Sequence, residues 1–524
     1  MAELFGKRIQ ALLDGDVAPL LKGIRRGIEK ESLRITAEGR LAQTPHPRGL
    51  GSALTHPWIT TDYSEALLEF ITPASDQPEA PLDFLDTLHR FTYGEIRDEL
   101  LWVNSMPCIM GEDDSIPIAE YGSSNIGRMK NIYRRGLGVR YGRRMQTIAG
   151  IHYNLSFPES FWQIHQQHEG DTRTLQAFIS DRYFDLLRNF QRYSWLLIYL
   201  FGASPAVCAS FLRGREHNLL ERTGHTLYQP WATSLRMSDL GYQNNAQSQL
   251  YISYNNLDEY VRTLDHAIRS PDPVYEKLGV EKNGDYQQLN ANILQIENEY
   301  YSSIRPKRTI QRGERPTLAL ARRGVEYIEI RALDLNPYEP VGINLEQMRF
   351  LDLFASYCLL CESPALSDSD LADSKRNIRE VVYRGRQKDL ALCNWGTATR
   401  LSEWGMEKLD QMDAIAELFD RTNGGNSYAD ALRAQKEKLR SPDLTPSARI
   451  LAELDQRNLS FFHFAMEQAE RQREHFLARP LPEETLSRMK QIAQESQHEQ
   501  QALEQKNQQD FADYLRAYFA EQPA

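Results

Sequence analysis

The sequence predicts a folded protein that mixes strands and helices over its first 340 residues and continues with helices alone. Strand-like runs rich in apolar and β-branched residues occur at 23–35, 146–156 and 324–337. From about Val341 onward the apolar residues follow helical spacing, as in Leu409, Met412, Ile415 and Phe419. The composition is 41% hydrophobic and 25% charged, which is typical of a folded globular protein.

The totals exclude several classes of protein. A formal net charge of −11 argues against general binding to nucleic acids or anionic membranes, which needs an excess of positive charge. Residues 193–212 carry no charge, but the Gly-Ala-Ser-Pro break at 202–205 leaves too short an apolar run for a membrane span. We therefore expect a core helix followed by a buried turn. The N-terminus lacks the apolar region of a signal peptide.

The cysteines indicate a reducing compartment, so we expect a cytoplasmic protein. Five cysteines in 524 residues do not suggest a disulfide framework. Cys358 and Cys361 form a C-x-x-C pattern, but two leucines separate them within an apolar helical run. With no second cysteine pair to complete a metal site, we expect a buried helix face there. The sequence does not decide whether Cys358, Cys361 or Cys393 has a redox role.

The first strand follows a short predicted helix over residues 3–22 and carries two acids that share a face. Side chains alternate along a strand, so Glu29 and Glu31 point the same way with Cα atoms about 6.6–7 Å apart. Carboxylates this close repel each other unless a cation lies between them, and Mg²⁺ prefers such oxygen ligands. The alternative is a solvated strand face on which Lys30 and Arg34 supply the counter-charges.

A second acidic segment covers residues 54–73. If it is a strand, Leu67, Glu69 and Ile71 share a face; if it is a helix, Asp62, Glu65 and Glu69 follow three/four spacing. In both cases Glu69 lies in an apolar stretch, where a buried carboxylate must be paired or bound to a metal. Residues 81–102, which follow, are predicted to form an amphipathic helix.

Residues 122–150 reverse the overall charge of the chain. Seven basic residues occur there with no acid between them: Arg128, Lys130, Arg134, Arg135, Arg140, Arg143 and Arg144. They form either a solvated helix and loop or a pocket for a polyanion, since arginine and backbone amides beside glycine bind phosphate well. A nucleic-acid-binding strip is a third reading, but no other part of the chain supplies a matching basic face.

Two later strands offer further polar faces. In 146–156, Gln146, His152 and Asn154 share a face, which suggests that the histidine lines a site, although a lone strand histidine is more often structural. In 324–337, alternation places Tyr327, Glu329 and Arg331 on one face and Glu326, Ile328 and Ile330 on the other. The chain contains no Walker P-loop, Rossmann fingerprint or H-E-x-x-H motif.

Together these segments resemble the glutamate–cysteine ligases (γ-glutamylcysteine synthetases) of the proteobacterial type 1. The matching stretches run in order and are residues 22–34, 51–73, 146–154, 199–205, 232–242, 295–299, 304–308 and 326–331. The last 150 or so residues match no family motif. The final forty are rich in Gln and Glu, which predicts a surface helix or partial disorder.

The resemblance implies an α+β fold in which a curved, mainly antiparallel sheet forms a funnel like that of glutamine synthetase, with helices outside. It divides the chain into an α+β catalytic core (1–360) and a helical C-terminal region (361–524) packed on it. It also favours a monomer with feedback inhibition by glutathione, and no nucleic-acid or membrane partner.

The resemblance implies a set of site residues as well. The metal ligands are expected to be Glu29, Glu31, Asp62, Glu69, His152 and Glu329. Arg236 and Arg331 are expected to face the phosphoryl and glutamyl groups during catalysis. The substrate pocket is expected to be lined by Tyr63, Tyr133, Arg134, Tyr242 and Tyr301, with Gln146 and Asn154 as weaker matches. The adenine contacts and a general base are not assigned.

The implied reaction joins the γ-carboxylate of L-glutamate to the α-amine of L-cysteine, with ATP as co-substrate and Mg²⁺ (Mn²⁺ as an alternative) as cofactor. Activation through γ-glutamyl phosphate brings several anions together. Metal ions held by carboxylates, with arginines beside them, would offset the repulsion between these anions. Three other readings remain: a ligase for a different amine, a metal-dependent hydrolase that needs no ATP, and a helical interaction protein acting through residues 400–524.

Overall fold

The computed structural model describes residues 2–14, 18–241, 247, 250–311, 313–507 and 509–521. The strands are β1 (Arg25–Ile35), β2 (Ile59–Thr61), β3 (Leu67–Ile71), β4 (Leu100–Leu101), β5 (Ile151–Ser156), β6 (Ala206–Cys208), β7 (Leu220–Arg222), β8 (Thr226–Tyr228), β9 (Glu281–Lys282), β10 (Asp285–Tyr286), β11 (Ile304–Lys307), β12 (Tyr327–Leu333), β13 (Ala391–Asn394) and β14 (Thr397–Arg400).

The helices are α1 (Ala2–Asp14), α2 (Ala80–Glu95), α3 (Asn125–Tyr141), α4 (Glu159–Glu169), α5 (Leu175–Tyr193), α6 (Trp195–Phe201), α7 (Leu257–Arg269), α8 (Pro273–Leu278), α9 (Pro316–Arg323), α10 (Leu345–Leu360), α11 (Asp368–Arg384), α12 (Leu401–Gln411), α13 (Asp413–Asn423), α14 (Ser427–Arg440), α15 (Pro446–Gln456), α16 (Phe461–Leu477), α17 (Glu483–Gln505) and α18 (Phe511–Ala520).

The main sheet has the strand order β11-β12-β5-β1-β3-β2, with β4 paired to the end of β1. Every pairing in it is antiparallel. This sheet, with helices that make up most of the remaining chain, confirms an α+β protein. It also confirms the strands predicted around Glu29 and Glu329, and of the two alternatives left open for Glu69 it shows the strand.

One face of this sheet is apolar and packs into the core. Ile28, Phe70, Ile328 and Ile330 on this face are all fully buried. Tyr153, on the same face, donates its hydroxyl to Asp352 of α10 at 2.8 Å. The opposite face is therefore left for the polar residues that alternate with these positions.

The helices after α10 contact the strands and loops that precede it. Tyr428 of α14 donates to Asp352 at 3.1 Å, and the same carboxylate forms a buried ion pair with Arg26 of β1 at 2.8 Å. Ser496 of α17 accepts a hydrogen bond from the amide of Ser52 at 2.9 Å. Helix α17 is thus the surface helix that the Gln- and Glu-rich composition predicts, and the alternative of disorder is wrong for it.

Two predicted boundaries differ from the structure, and the hairpin β13–β14 contradicts the expectation of helices alone after Val341. Strand β5 begins at Ile151 because residues 144–147 form a 3₁₀ turn, and α2 ends at Glu95 before Leu100–Leu101 joins the sheet. In the 193–212 segment, α6 is buried and β6 follows the break. No helix within the described residues is long and apolar enough to cross a membrane.

The cysteines behave only partly as expected. Cys108 and Cys208 form a disulfide with Cα atoms 5.3 Å apart, which the cysteine count did not predict. Their positions lie 100 residues apart in the sequence, so no local spacing connects them. Cys358 and Cys361 are buried at the end of α10, as predicted.

Candidate active site

The register of the sheet collects the predicted acids on its polar face. Glu31 of β1 lies opposite Glu69 of β3, and Glu29 lies opposite His152 of β5. Glu329 of β12 lies opposite Asn154, two residues beyond His152 on the same face. Four neighbouring strands therefore place carboxylates and an imidazole in one patch. We call this patch the acidic cluster; it consists of Glu29, Glu31, Glu69, His152 and Glu329.

His152 is at the centre of the acidic cluster. Its Nδ1 lies 3.1 Å from Glu29 Oε2 and 3.6 Å from Glu329 Oε1, and its Nε2 lies 3.5 Å from Glu31 Oε1. Two sets of three ligand atoms, Glu29–His152–Glu329 and Glu31–Glu69–His152, each lie within 4.8 Å of one another. His152 thus belongs to both sets, and a cation could bind on either side of it.

The side of the cluster near Glu69 has an excess of negative charge. Burial and the neighbouring charges of Glu29, Asp62 and Glu31 raise the pKa of Glu69 well above its ordinary value. Burial, with a further contribution from Asp62, also raises the pKa of Glu31. Asp62 belongs to neither ligand set, but its charge acts on both of these acids.

The side near Glu329 is electrostatically different. Burial opposes ionisation there, but the charges of Lys307 and Arg331 hold the pKa of Glu329 well below its ordinary value. Burial and Glu329 likewise oppose the ionisation of Glu29, yet its contacts with His152 lower its pKa overall. This half of the cluster already has cationic partners.

Unused ligand atoms support a cation site. His152 Nε2 and Glu329 Oε2 are buried and make no hydrogen bond to any described residue. Buried polar atoms without a hydrogen bond are costly, and a coordinated cation removes that cost. Carboxylate oxygens with a single imidazole form a donor set that fits Mg²⁺ or Mn²⁺.

The alternative of a solvated strand face with local counter-charges is wrong. Lys30 points to the opposite face of β1, where its Nζ lies 2.6 Å from His89 Nε2. Arg34 also faces away and pairs with Glu99 at 2.7 Å. Alternation along the strand sends these cations to the core side, so they do not offset Glu29 and Glu31.

Arg331 contacts the acidic cluster through Glu329, and Arg236 contacts Arg331. Arg331 Nη1 donates to Glu329 Oε1 at 3.1 Å. Arg236 is buried and donates from Nη2 to the Arg331 carbonyl at 2.9 Å. A Cβ at Gly150 would lie 2.1 Å from Arg236 Nη2, so the glycine leaves the room that this guanidinium fills. Gly150 also donates its amide to Glu31 Oε2 at 2.7 Å.

A small cavity of about 80 Å³ adjoins Glu31 and Arg331. Five residues predicted for the substrate pocket line it: Tyr63, Tyr133, Arg134, Gln146 and Tyr301. Gln146 donates from its amide to the Tyr301 hydroxyl at 2.8 Å. Asn154 instead contacts the acidic cluster, donating to Glu29 at 3.0 Å, and Tyr242 lies outside the described residues.

A large cavity of about 520 Å³ also adjoins the acidic cluster and shares Tyr133, Asn298 and Arg305 with the small cavity. Its walls are mostly apolar and aromatic, and it carries the basic residues Lys130, Arg305, Lys307 and Arg308. Lys307 Nζ is 3.4 Å from Glu329 Oε2, so this cavity meets the acidic cluster. Along β12, Tyr327 lines the large cavity, Glu329 belongs to the cluster, and Arg331 lines the small cavity.

The sequence reasoning did not assign Arg305 and Lys307, although both lie in the 304–308 stretch that matched the family. Their spacing by two on β11 was the available signal, since it places them on one face. The Arg-rich stretch is neither purely solvated nor one anion pocket. Lys130 and Arg134 line cavities, whereas Arg140 forms a fully buried ion pair with Glu299 at 2.9 Å.

Clustered carboxylates that adjoin two cavities lined by basic residues and tyrosines form a candidate enzyme active site. The chain matches the family model described as glutamate–cysteine ligase over residues 9–381. A glutamate–cysteine ligase of Alcanivorax borkumensis is 66% identical over 518 residues, covering 98% of this chain and 99% of the relative. One from Azotobacter vinelandii is 50% identical, covering 99% of each. The chain therefore belongs to the glutamate–cysteine ligase family, and it is a ligase.

Solved structures agree with this assignment. The crystal structure of a glutamate–cysteine ligase from Francisella tularensis in complex with AMP has a TM-score of 0.89 and 37% identity, covering 95% of this chain and 97% of that chain. A bifunctional glutathione synthetase from Pasteurella multocida shares the fold, with a TM-score of 0.69 and 22% identity over 92% of this chain and 57% of that chain.

Proposed function

We propose that the protein joins the γ-carboxylate of L-glutamate to the α-amine of L-cysteine, using ATP, as the first step of glutathione biosynthesis. One observation carries this proposal: the acidic cluster adjoins a large cavity and a small one, and β12 contributes Tyr327 to the large cavity, Glu329 to the cluster and Arg331 to the small cavity, in that order. Such an order allows a nucleotide to present a phosphoryl group to an acceptor across bound cations.

We assign the large cavity to the nucleotide. Its volume of about 520 Å³ suits a cofactor-sized ligand, and its apolar walls suit a base. Arg305 and Lys307 lie between those walls and Glu329, where a triphosphate would point towards the acidic cluster. The relative from Francisella tularensis was solved with AMP, which supports a nucleotide site in this protein.

We assign the acidic cluster to Mg²⁺, with Mn²⁺ as an alternative. Glu29, Glu31, Asp62, Glu69, His152 and Glu329 would hold the cations, as the family resemblance implies. Bound Mg²⁺ supplies positive charge that offsets the repulsion between the carboxylates, the phosphates and the substrate. Burial, together with the charge of Asp62, raises the pKa of Glu69 and of Glu31, and a bound cation would favour their ionised forms.

The chain's own residues then hold the reacting groups in line. The γ-carboxylate oxygen of glutamate attacks the γ-phosphorus of ATP, the bond to the bridging oxygen breaks, and ADP leaves. Arg331, whose Nη1 lies beside Glu329, is placed to bind the transferred phosphoryl group. The cysteine nitrogen attacks the acyl carbon of γ-glutamyl phosphate, loses a proton, and phosphate leaves. Arg236 donates a hydrogen bond to the Arg331 carbonyl and would in this way keep Arg331 in position.

We place cysteine in the small cavity. Tyr63, Tyr133, Arg134 and Tyr301 line it. Tyr242, which the family resemblance adds to the substrate residues, lies outside the described residues. The cavity is small, at about 80 Å³, which favours a small ligand over a peptide. A ligase for a different small amine would use the same arrangement, so the identity of the amine is a result to be measured.

Further properties follow from the family resemblance. We propose that the main sheet curves into a funnel like that of glutamine synthetase, and that 1–360 and 361–524 are the catalytic core and its helical covering. We propose a cytoplasmic monomer that glutathione inhibits by feedback.

The decisive experiment is phosphate release by the purified protein with ATP, Mg²⁺ and glutamate, with and without cysteine. We expect release that depends on both amino acids, with γ-glutamylcysteine as product. Glu329→Gln should abolish it, while the control Glu112→Gln, at a side chain that is 71% exposed, should not change it. Equal turnover with other small amines would indicate a broader ligase. Turnover without ATP would indicate a hydrolase.

A further inference from the structure

The last helix of the chain forms one wall of the large cavity. Helix α18 (Phe511–Ala520) lies well beyond residue 381, where the family model ends. Tyr514 and Tyr518 are four residues apart, so they share one face of the helix, and both line the cavity.

Helix α18 is attached to the rest of the protein by a small apolar cluster, against which Tyr514 and Tyr518 also pack in part. Phe511 and Leu515 are buried against Met129 and Ile132 of α3, in a satellite cluster outside the main core. The guanidinium of Arg128 lies 4.3 Å from the centre of the Phe511 ring. The two tyrosines are only half-buried, so docking of the helix leaves part of each ring facing the cavity.

Two arginines bind the C-terminal end of α18. Arg315 Nη1 donates to the Glu521 carbonyl at 2.8 Å, and Arg269 donates to the carbonyls of Phe519 at 3.1 Å and Glu521 at 2.8 Å. The last carbonyls of a helix lack intrahelical partners and favour nearby positive charge. Arg315 also donates to Glu297, which lines the large cavity. The helix end is therefore fixed to the same framework as the cavity.

The position of these rings determines what they could contact. The basic residues Arg305 and Lys307 lie on the side towards Glu329, where phosphates would bind. Tyr514 and Tyr518 line the same cavity from α18, which packs on α3. A ligand with phosphates at the basic end would extend its base towards the aromatic wall. Purine bases bind aromatic side chains through their faces.

We propose that α18 is part of the nucleotide site and that Tyr514 and Tyr518 contact the purine base. This inference rests on the assignment of the large cavity to the nucleotide. It gives the C-terminal segment a direct role in substrate binding, in addition to packing on the core. It also identifies base contacts that lie outside every stretch by which the sequence resembles the family.

The test compares two ligands that differ in the base. AMP carries adenine, and inorganic tripolyphosphate carries only the charge. Their binding is measured by titration calorimetry on the full chain, for the wild type and for Tyr514→Ala/Tyr518→Ala. We expect the double substitution to weaken AMP by about ten-fold or more, a typical loss for base–aromatic contacts, and to leave tripolyphosphate within about two-fold.

Two controls separate contact from packing. Arg516→Ala changes a side chain on α18 that is 75% exposed and should leave both affinities unchanged. Tyr518→Phe keeps the ring and should retain most of the AMP affinity. An equal loss of AMP and tripolyphosphate affinity would mean that α18 only supports the fold, and would overturn the proposal. So would unchanged AMP binding in the double variant.

The outcome does not depend on turnover. A wild type that binds AMP through these tyrosines but forms no γ-glutamylcysteine would refute the proposed function and leave the inference standing. If the wild type makes the product with ATP and the double substitution leaves the AMP affinity unchanged, only the inference about α18 is refuted.

Discussion

Replacing Glu299 by Gln tests whether a buried ion pair keeps the small cavity in shape. The Glu299 carboxylate accepts hydrogen bonds from Arg140 Nη1 at 2.9 Å, the Tyr141 hydroxyl at 2.7 Å and the Gln295 amide at 2.6 Å. The side chains of Arg140 and Glu299 are both 0% exposed. Gln fills the same volume but removes the negative charge, which leaves the Arg140 guanidinium buried without its anion.

The structure sets the expected magnitude. Removing one member of a buried ion pair costs about 3–5 kcal/mol. Arg140 keeps three neutral acceptors, Gln288 Oε1 and the Asn290 carbonyl at 2.8 Å and the Ile293 carbonyl at 3.4 Å, so we expect the lower end, about 3 kcal/mol. Urea unfolding at pH 7 measures it. In a double-mutant cycle with Arg140→Gln, the coupling free energy should be at least about 2 kcal/mol.

The same substitution should affect one substrate more than the others. Gln247 donates to the Glu299 carbonyl at 2.8 Å and accepts from the Tyr301 amide at 3.1 Å, and Gln295 donates to the Tyr133 carbonyl at 3.2 Å. Loosening this network should raise the KM for the amine substrate and leave the KM for ATP nearly unchanged. The reasoning is refuted if the two single substitutions have additive effects on the free energy of unfolding. It is also refuted if Glu299→Gln changes the KM for the amine and the KM for ATP equally.

Two further predictions concern the acidic cluster. Gly150→Ala would place a Cβ 2.1 Å from Arg236 Nη2, so we expect a marked loss of kcat in steady-state kinetics. The control is Gly94→Ala, whose added Cβ would meet no atom within 4 Å. It should leave kcat unchanged and be neutral or stabilising. Glu69→Gln should raise the melting temperature of metal-free protein at pH 7 and reduce the further increase on adding Mg²⁺; an unchanged Mg²⁺ response would contradict the assignment.

The sign of the Glu69 effect follows from its raised pKa. The folded protein holds a proton on Glu69 at pH values where the unfolded chain, with an ordinary pKa of 4.5, has lost it. The stability from this group is therefore present below pH 4.5 and is lost as the pH rises through the raised pKa. Metal-free Glu69→Gln should show a flatter dependence of melting temperature on pH than the wild type.

Local alternation was enough to predict which side chains share a face. Glu29 with Glu31, and Glu329 with Arg331, follow from a period of two within single strands. The pairing between strands could not be read this way, because β1 meets β5 through residues 29 and 152, far apart in the sequence. The family resemblance, which covers both segments, supplied that connection for the expected ligands.

Other features had no local signal at all. The disulfide joins cysteines separated by 100 residues, and a count of five cysteines does not pair them. Tyr514 and Tyr518 follow a Gln-rich segment whose composition indicates only a solvated surface. Their role depends on where α18 docks, which Phe511, Leu515 and two distant arginines determine.

The two halves of the acidic cluster are expected to affect the stability of the metal-free protein in opposite ways. Glu329 is ionised because Lys307 and Arg331 lie beside it, so Glu329→Gln leaves these cations without their buried anion and should destabilise the metal-free protein. Glu69 lies among other acids, so the same chemical change there relieves repulsion and should stabilise it. Matched Glu→Gln substitutions on one sheet face are thus expected to shift stability in opposite directions. Both should weaken the response to Mg²⁺, because each removes a carboxylate from one of the ligand sets around His152.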